Sequence, residues 1–388
     1  MKMNTPVKRR SFLRTTVSAA IAFPMINMGA YRVFAASETK YSARAIDLVN
    51  QNQVFDMLSI MAPFSKMMSV TYVKNPKKED GFEVPKEHIE TLLASGVDVF
   101  HPAVGLAADH AAAFVGRLNA LVAEYPDVLR RVDSLSDLKD LKKGERIGFI
   151  VGIQNSDHFR EPDDVNLFYT LGQRISQLTY NSRNLIGTGS TDRSDGGLSD
   201  FGVSIVERMN EVGMAVDVSH CGDRTTLDAF ELSKKPVLVT HSNVRELAGG
   251  HIRCKTDEAI KAMARSGSVM GITGVRNFVS TKEPTTVENI IDHIDYVAKL
   301  TGIEHVGVGS DMDMDGYDDI PEPAYSALKG QYKASYAFRD KMDTDGFDHP
   351  KRIFDLTEGL IRRGYSDEHI SLVLGNNFKR ALGDIWKS

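Results

Sequence analysis

The chain has 388 residues, of which 42% are hydrophobic and 26% are charged, a composition typical of a globular protein with a sizeable core. The formal net charge is −5, and no block rich in lysine or arginine lies in the body of the chain, which excludes nucleic acid as an expected partner. Its two cysteines are too few for a disulfide framework.

The N-terminal segment has the pattern of an export signal. Residues 8–16 read KRRSFLRTT, an apolar stretch follows at 17–28, and small residues stand at Ala35 and Ala36. Paired arginines before a modest apolar stretch and a small-residue cleavage site are typical of twin-arginine signals. The alternative, a membrane anchor, needs about 20 apolar residues. We therefore expect residues 1–35 to be a signal peptide, 36–388 to be the mature domain, and the twin-arginine translocation machinery to deliver it to the periplasm.

Beyond a polar linker, apolar runs and helical patterns alternate along the chain. The runs predict strands at 54–58, 97–104, 146–153, 175–178, 214–218, 237–239, 268–273 and 305–309. Helices are predicted at 86–95, 109–125, 163–173, 201–212, 256–265 and 287–301. A further helix is predicted between the fifth and sixth strands, and two more near 350–364 and 367–383. Eight strands alternating with helices predict an α/β protein folded as one (β/α)8 TIM barrel.

Polar residues stand where seven of these strands end: Asp56, His101, Gln154, Tyr180, His220, His241 and Asp311. The carboxyl ends of barrel strands meet at one face, so we expect these side chains to form one site. Two imidazoles, from His220 and His241, supply half of a metal site or an acid–base pair, with a capping role as the simpler alternative. Asp311 is then the carboxylate that takes a proton from an activated water, or else a loop cap.

Four long stretches carry a family resemblance. They read GGLSDFGVSIVERMNEVGMAVDVSHC at 196–221, PVLVTHSNVREL at 236–247, HIDYVAKLTGIEHVGVGSDMDMDG at 293–316 and LVLGNNFKRAL at 372–382. Over residues 45–385 the chain resembles the renal (membrane) dipeptidases, zinc hydrolases of the amidohydrolase barrel type. The resemblance implies hydrolysis of a dipeptide or related small amide, and barrels of this family often pair, which implies a homodimer.

The resemblance also implies roles for individual residues. In the family, a His and an Asp on strand one hold the first of two zinc ions, a Glu on strand three bridges them, and two His on strands five and six hold the second. The last two positions are His220 and His241 here. The family's arginine for the substrate carboxylate falls on Arg253, and its catalytic aspartate on Asp311.

This chain departs from the family at four of its site positions. Leu58 and Ile60 replace the strand-one ligands, Gln154 replaces the bridging Glu, and Tyr180 replaces a substrate-facing His. Leucine and isoleucine have no lone pair to offer a cation, and a neutral amide is a poor bridge between two dications. The sequence therefore favours one zinc ion over two.

The resulting hypothesis is a mononuclear hydrolase. The ion is expected on His220 and His241, with Gln154, Asp311 or water completing its shell. The catalytic base is expected to be Asp311, and the substrate-binding residues Arg253 and Tyr180. The alternative is a catalytically weak or repurposed periplasmic protein that acts in binding or in a different chemistry, with Tyr180, His158 or His101 recruited.

Two further motifs have simpler interpretations. The run 311–322 satisfies the calcium-loop pattern D-x-D-x-D-G-x5-E, but a strand precedes it and two prolines oppose a following helix. His293 and Asp295 form an H-x-D motif inside a predicted helix and are interpreted as a pair on the helix surface.

The two cysteines leave two interpretations. Cys221 follows His220 directly and is expected to turn away from any metal held there, because neighbours on an extended chain point to opposite faces. A Cys221–Cys254 disulfide is the alternative in an oxidising periplasm.

Overall fold

A computed structural model describes residues 41–59, 86–105, 107–141 and 143–386 of the chain. The predicted signal peptide and Ile60 lie outside these residues. The described chain from Ser42 onward belongs to one compact unit. In those described ranges, no helix has the length and apolar character needed to cross a membrane.

The strands of the described chain are short and run in one direction. They are β1 Phe55–Asp56, β2 Val99–Phe100, β3 Leu129–Arg131, β4 Ile147–Phe149, β5 Gly152–Ile153, β6 Ile175–Gln177, β7 Ala215–Asp217, β8 Val239–Ser242, β9 Met270–Ile272 and β10 Val306–Val308.

Helices occupy most of the connections between the strands. They are α1 Ala43–Gln51, α2 Lys86–Ala94, α3 Ala111–Glu124, α4 Asp163–Leu171, α5 Asp200–Val212, α6 Asp223–Leu232, α7 Asp257–Arg265, α8 Arg276–Val279, α9 Val287–Thr301, α10 Ala324–Gly330, α11 Arg352–Arg362, α12 Asp367–Ser371 and α13 Asn377–Trp386.

Parallel pairing closes the strands into a barrel. β1 pairs with β2 and β2 with β4; β5 pairs with β6 and β6 with β7; β8 pairs with β9 and β9 with β10. Bridges from Asp217 to Leu238 and from Ser59 to Met312 join these groups. β4 and β5 are two halves of one barrel strand. The predicted eight-stranded (β/α)8 TIM barrel is therefore confirmed. The additional strand β3, which was not predicted, pairs with β4, the first half of the third barrel strand.

The last helix closes the end of the barrel opposite the site. Phe378, Leu382 and Ile385 of α13 share one buried cluster with Phe55 and Ile175, which are the first residues of β1 and β6. Each such fully buried apolar side chain stabilises the fold by about 1.5–3 kcal/mol. With the amino ends of the strands covered in this way, the carboxyl ends are left to form a binding site.

Helix α1 corrects one sequence expectation, because its residues were assigned to a polar linker. Ser42 caps it by accepting a hydrogen bond from the backbone N–H of Ala45 at its side-chain oxygen. Ile46, Leu48 and Val49 are buried. The buried positions 45, 46, 48 and 49 follow a helical spacing, so the local pattern was present in the sequence.

Candidate active site

The polar strand-end residues meet at the carboxyl face of the barrel. A cavity of about 390 Å³ lies there, and Gln154, Tyr180, His220 and Asp311 are among the residues that line it. His241 is fully buried and in contact with His220. The structure thus brings together side chains that are up to 157 positions apart in the sequence, from Gln154 to Asp311.

The two histidines face each other through their Nε2 atoms, which lie 2.8 Å apart. Nδ1 of His220 is 2.7 Å from Oδ1 of Asn181, which only accepts hydrogen bonds. Nδ1 of His241 is 2.8 Å from the Thr240 hydroxyl, which itself donates to the Asp217 carboxylate at 2.6 Å. Both rings therefore carry their proton on Nδ1, and two Nε2 lone pairs point at each other.

A cation between these lone pairs would remove their repulsion. Burial lowers the pKa of both His220 and His241 well below the usual value, and the positive charge of Arg253 lowers both further. A proton is therefore a poor occupant of the gap at neutral pH. Histidines that bind metals usually donate their other ring N–H to an oxygen, as both rings do here.

Apart from the two histidines, few side chains of the described residues are free to act as metal ligands at this site. Leu58 is fully buried and has no donor, and Asp56 is already occupied because its carboxylate accepts from the backbone N–H and hydroxyl of Ser310. Within those residues, no group of three or more His, Cys, Asp or Glu side chains is placed to hold a metal. The structure therefore does not place Asp311 beside the two histidines as a third ligand, which was one of the alternatives predicted from the sequence.

A zinc ion would need the histidine pair to rearrange. Two lone pairs that face each other across 2.8 Å leave no room for an ion, so both rings would have to move apart and turn towards it. Gln154 lines the cavity, and its amide NH2 donates to the carbonyl of Ala103 at 2.7 Å. Its amide oxygen is the atom that remains for a ligand.

Tyr180 and Asp311 both line the cavity. The Tyr180 ring stacks on His220 with centroids 4.3 Å apart, and its hydroxyl lies 3.1 Å from that of Tyr332. Burial raises the pKa of Asp311 to about 7; the charge of Arg253 opposes this rise and that of Asp56 adds to it. A carboxyl group with a pKa near 7 is suited to general acid–base catalysis at neutral pH.

The backbone of Asp311 is also unusual. Its φ angle is 55°, in the left-handed region that non-glycine residues seldom occupy. Its N–H donates to the carbonyl of Leu58 at 2.8 Å, which fixes this conformation against the neighbouring strand. Strained backbone that the surrounding structure holds in place is common at functional sites.

Arg253 lies behind the histidines and does not line the cavity. It is fully buried, and its guanidinium donates to the backbone carbonyls of Ser219 and His241. The side chain thereby links the chain just after β7 to β8, and so holds the two histidines in place. Its role in binding a substrate carboxylate stays a prediction.

Sequence reasoning missed the residues that orient the histidines. Asn181, Thr240 and Asp217 fix the two ring tautomers. Each lies within three positions of a strand-end residue in the sequence. Proximity to a predicted ligand was thus the signal that could have found them.

His101 and His158, the other candidates for recruitment, are both buried. His158 lies 3.1 Å through Nε2 from Gln173 and does not line the cavity. His101 donates from Nδ1 to the carbonyl of Met57 at 2.7 Å, and its Nε2 has no hydrogen-bond partner. This nitrogen points at Gly152, where an added Cβ would lie 1.8 Å away.

The H-x-D interpretation is wrong in one respect. His293 is fully buried and not on the surface of α9. Its Nδ1 accepts from the N–H of Val244 at 3.1 Å, and its Nε2 donates to the carbonyl of Val279 at 2.8 Å. Both ring nitrogens are used by the backbone, so neither is free to bind a metal.

The cysteines do not line the cavity, and the calcium-like run, which begins at Asp311, is not folded as a calcium loop. Cys221 and Cys254 are buried free thiols, so the disulfide alternative is wrong. Cys221 is buried, accepts a hydrogen bond from Thr179 at 3.3 Å and does not line the cavity, as expected. Within the run, Glu322 accepts from Ser326 and does not turn back towards the aspartates.

Comparisons with known proteins identify the family. Residues 66–326 match the model of the membrane dipeptidase family, peptidase family M19. The chain belongs to this family. Its members are dipeptidase-like metallohydrolases, which agrees with the barrel and with the resemblance found in the sequence.

Individual relatives cover different shares of the chain. Dipeptidase verJ from Clonostachys rogersoniana is 29% identical over 271 residues, 69% of this chain and 63% of the relative, so the chain spans less than two thirds of that protein. A crystal structure of an amidohydrolase from Pseudomonas aeruginosa is 28% identical, with a TM-score of 0.75, covering 88% of this chain and 99% of that one.

Two more distant structures share the fold. The probable dipeptidase PvdM from Pseudomonas aeruginosa is 20% identical, with a TM-score of 0.70, covering 88% of this chain and 98% of that one. A metallopeptidase from Rhodobacter sphaeroides, liganded with a phosphinate mimic of the dipeptide L-Ala-D-Ala, is 17% identical, with a TM-score of 0.67, covering 86% and 99%.

Proposed function

We propose that this protein is a periplasmic, metal-dependent hydrolase of dipeptides or related small amides, with one metal ion on His220 and His241. The observation that carries the proposal is the pair of Nε2 lone pairs facing each other across 2.8 Å beside a cavity that Asp311 lines. Family membership supports the reaction class, and the sequence resemblance points to zinc.

His220 and His241 would hold the zinc ion, which would supply the activation of a water nucleophile. Asp311 would accept a proton from the attacking water at its carboxylate and return it to the leaving amine. Gln154 would offer its amide oxygen to the ion or to the substrate. Tyr180 covers one face of His220 and so restricts access of bulk water to it, while Arg253 holds the backbone carbonyls on either side of the histidine pair.

The second candidate is a family member that binds small amides without hydrolysing them. It is favoured by the fully buried Leu58, which stands where the family has a metal ligand, and by the two-histidine donor set. The two candidates differ in metal content and in turnover.

The deciding experiment combines elemental analysis with a dipeptide screen on the dialysed mature protein. We expect about one zinc per chain in the wild type and none in His220→Ala or His241→Ala, with turnover reduced at least about 100-fold in both variants. His369→Ala, on the exposed part of α12, is the matched control and should keep metal and activity. Two ions per chain would contradict the one-ion site. If the protein binds no metal and shows no activity after zinc is added, the binding protein is favoured.

A further inference from the structure

The cavity beside the histidines has two chemically different walls. One wall is polar and comes from the ends of the barrel strands; its members include Gln154, Asn181, His220 and Asp311. The other wall comes from the chain after β9 and from the segment after α10, which also supplies Gln331 and Lys333; its apolar and aromatic members are Val275, Phe278, Tyr332, Tyr336, Phe338 and Met342. We call this second set the apolar wall.

The apolar wall is a packed structure in its own right. The rings of Tyr332 and Tyr336 have centroids 4.6 Å apart, those of Tyr336 and Phe338 4.9 Å, and those of Tyr336 and Phe278 5.3 Å. The backbone carbonyl of Tyr336 accepts from Nε2 of His251 at 2.8 Å. A wall held in this way needs little ordering when a ligand arrives, which favours tight binding.

The apolar wall also has surface left for a ligand. Tyr332 and Phe338 are half-buried and line the cavity, whereas Tyr336 is almost completely buried between them. None of the six side chains carries a charge at neutral pH. At the cavity edge, Lys333 lies 3.7 Å from Asp192, so its charge is partly compensated.

We infer that the apolar wall is the side-chain subsite, and that it selects substrates with a bulky apolar or aromatic side chain. The inference rests on the proposed function for the reaction itself. When the scissile amide lies near His220 and Asp311, a side chain that extends to the apolar wall meets aromatic ring surface. An apolar group gains by leaving water there and by ring–ring contact. A charged group placed against these rings would lose its hydration and find no charged partner among the six side chains.

Phe338→Ala tests the inference in the metal-loaded enzyme. The probes are glycyl-phenylalanine and glycyl-alanine, each with the L or the D enantiomer at the second position. The reversed dipeptides, phenylalanyl-glycine and alanyl-glycine, are tested as well. We expect kcat/KM for the better phenylalanine substrate to exceed that of its alanine counterpart at least tenfold. Phe338→Ala should reduce this ratio severalfold and leave the alanine substrate nearly unchanged. Phe201→Ala, a half-buried phenylalanine on α5 outside the cavity, is the matched control. Equal kcat/KM for both substrates, or equal losses for both in Phe338→Ala, overturns the inference.

A binding measurement separates this inference from the proposed function. Asp311→Asn protein, in which turnover is suppressed, is titrated calorimetrically with the same dipeptides. Tighter binding of the phenylalanine compounds, weakened by Phe338→Ala, supports the subsite even where the wild type hydrolyses none of them. Equal binding of both classes, or binding of neither, overturns it.

Discussion

Replacing Asp311 with asparagine should stabilise the fold by an amount that depends on pH. Burial raises the pKa of this half-buried carboxyl group from an ordinary 3.8 to about 7. The unfolded chain therefore loses this proton above pH 3.8, whereas the folded protein keeps it up to about pH 7. Between these values the folded state binds more protons than the unfolded state, so the group makes the protein less stable as the pH rises.

The magnitude follows from the size of the shift. At pH 8, a difference of about three pKa units corresponds to roughly 4 kcal/mol, and the solvent that reaches the cavity reduces this to roughly 2–3 kcal/mol. At pH 5 only about one unit of the difference applies, which leaves roughly 1 kcal/mol. Asparagine has nearly the same shape and cannot ionise, so Asp311→Asn should be more stable than the wild type by these amounts. Its kcat should fall by about 10²–10⁴.

The assay is urea unfolding of metal-free protein at pH 5 and pH 8, followed by far-ultraviolet circular dichroism. The difference between variant and wild type at each pH removes the contribution of other titrating groups. Asp319→Asn, at an exposed carboxylate eight positions further on, is the control for the same replacement outside the cavity. An Asp311→Asn protein that is equally stabilised at both pH values, or is less stable than the wild type at pH 8, refutes the reasoning.

Two further predictions concern buried histidines. A Cβ at Gly152 would lie 1.8 Å from Nε2 of His101, so we expect Gly152→Ala to lower the free energy of unfolding by about 1–3 kcal/mol, and by clearly less in a His101→Ala background. Equal losses in both backgrounds would show that His101 is not the obstacle. Burial lowers the pKa of His293 to about 4, so the unfolded chain takes up a proton below pH 6.5 that the folded chain excludes, and stability should fall by roughly 3 kcal/mol as the pH drops from 6.5 to 4. Urea unfolding of His293→Gln at pH 7 and pH 4.5 should show a smaller fall; a fall of the wild-type size contradicts this explanation.

The barrel could be predicted because its signals are local. Each strand is a short apolar run, each long helix has its own period, and polar residues mark the strand ends. Closure into a barrel follows from the number and alternation of these elements. β3, in contrast, reads Leu-Arg-Arg and has no strand pattern, and it pairs only because β4 offers it an edge.

Side-chain direction was harder to predict. The family motif located Arg253, but its contacts with the carbonyls of Ser219 and His241 depend on how two strands lie side by side. His293 was expected on the helix surface, because a polar residue on a helix usually faces water. Its burial depends on backbone groups near positions 244 and 279, which no pattern within α9 indicates.

The sequence by itself determined the fold, the family and the polar residues at the strand ends, because these depend on periodicity and on motifs written along the chain. The tertiary structure alone decided that His220 and His241 present facing lone pairs, that Arg253 lies behind them, and that rings from two distant segments form the apolar wall. The physical reason is that ring tautomers, hydrogen-bond partners and packed ring faces depend on contacts between residues far apart in the sequence.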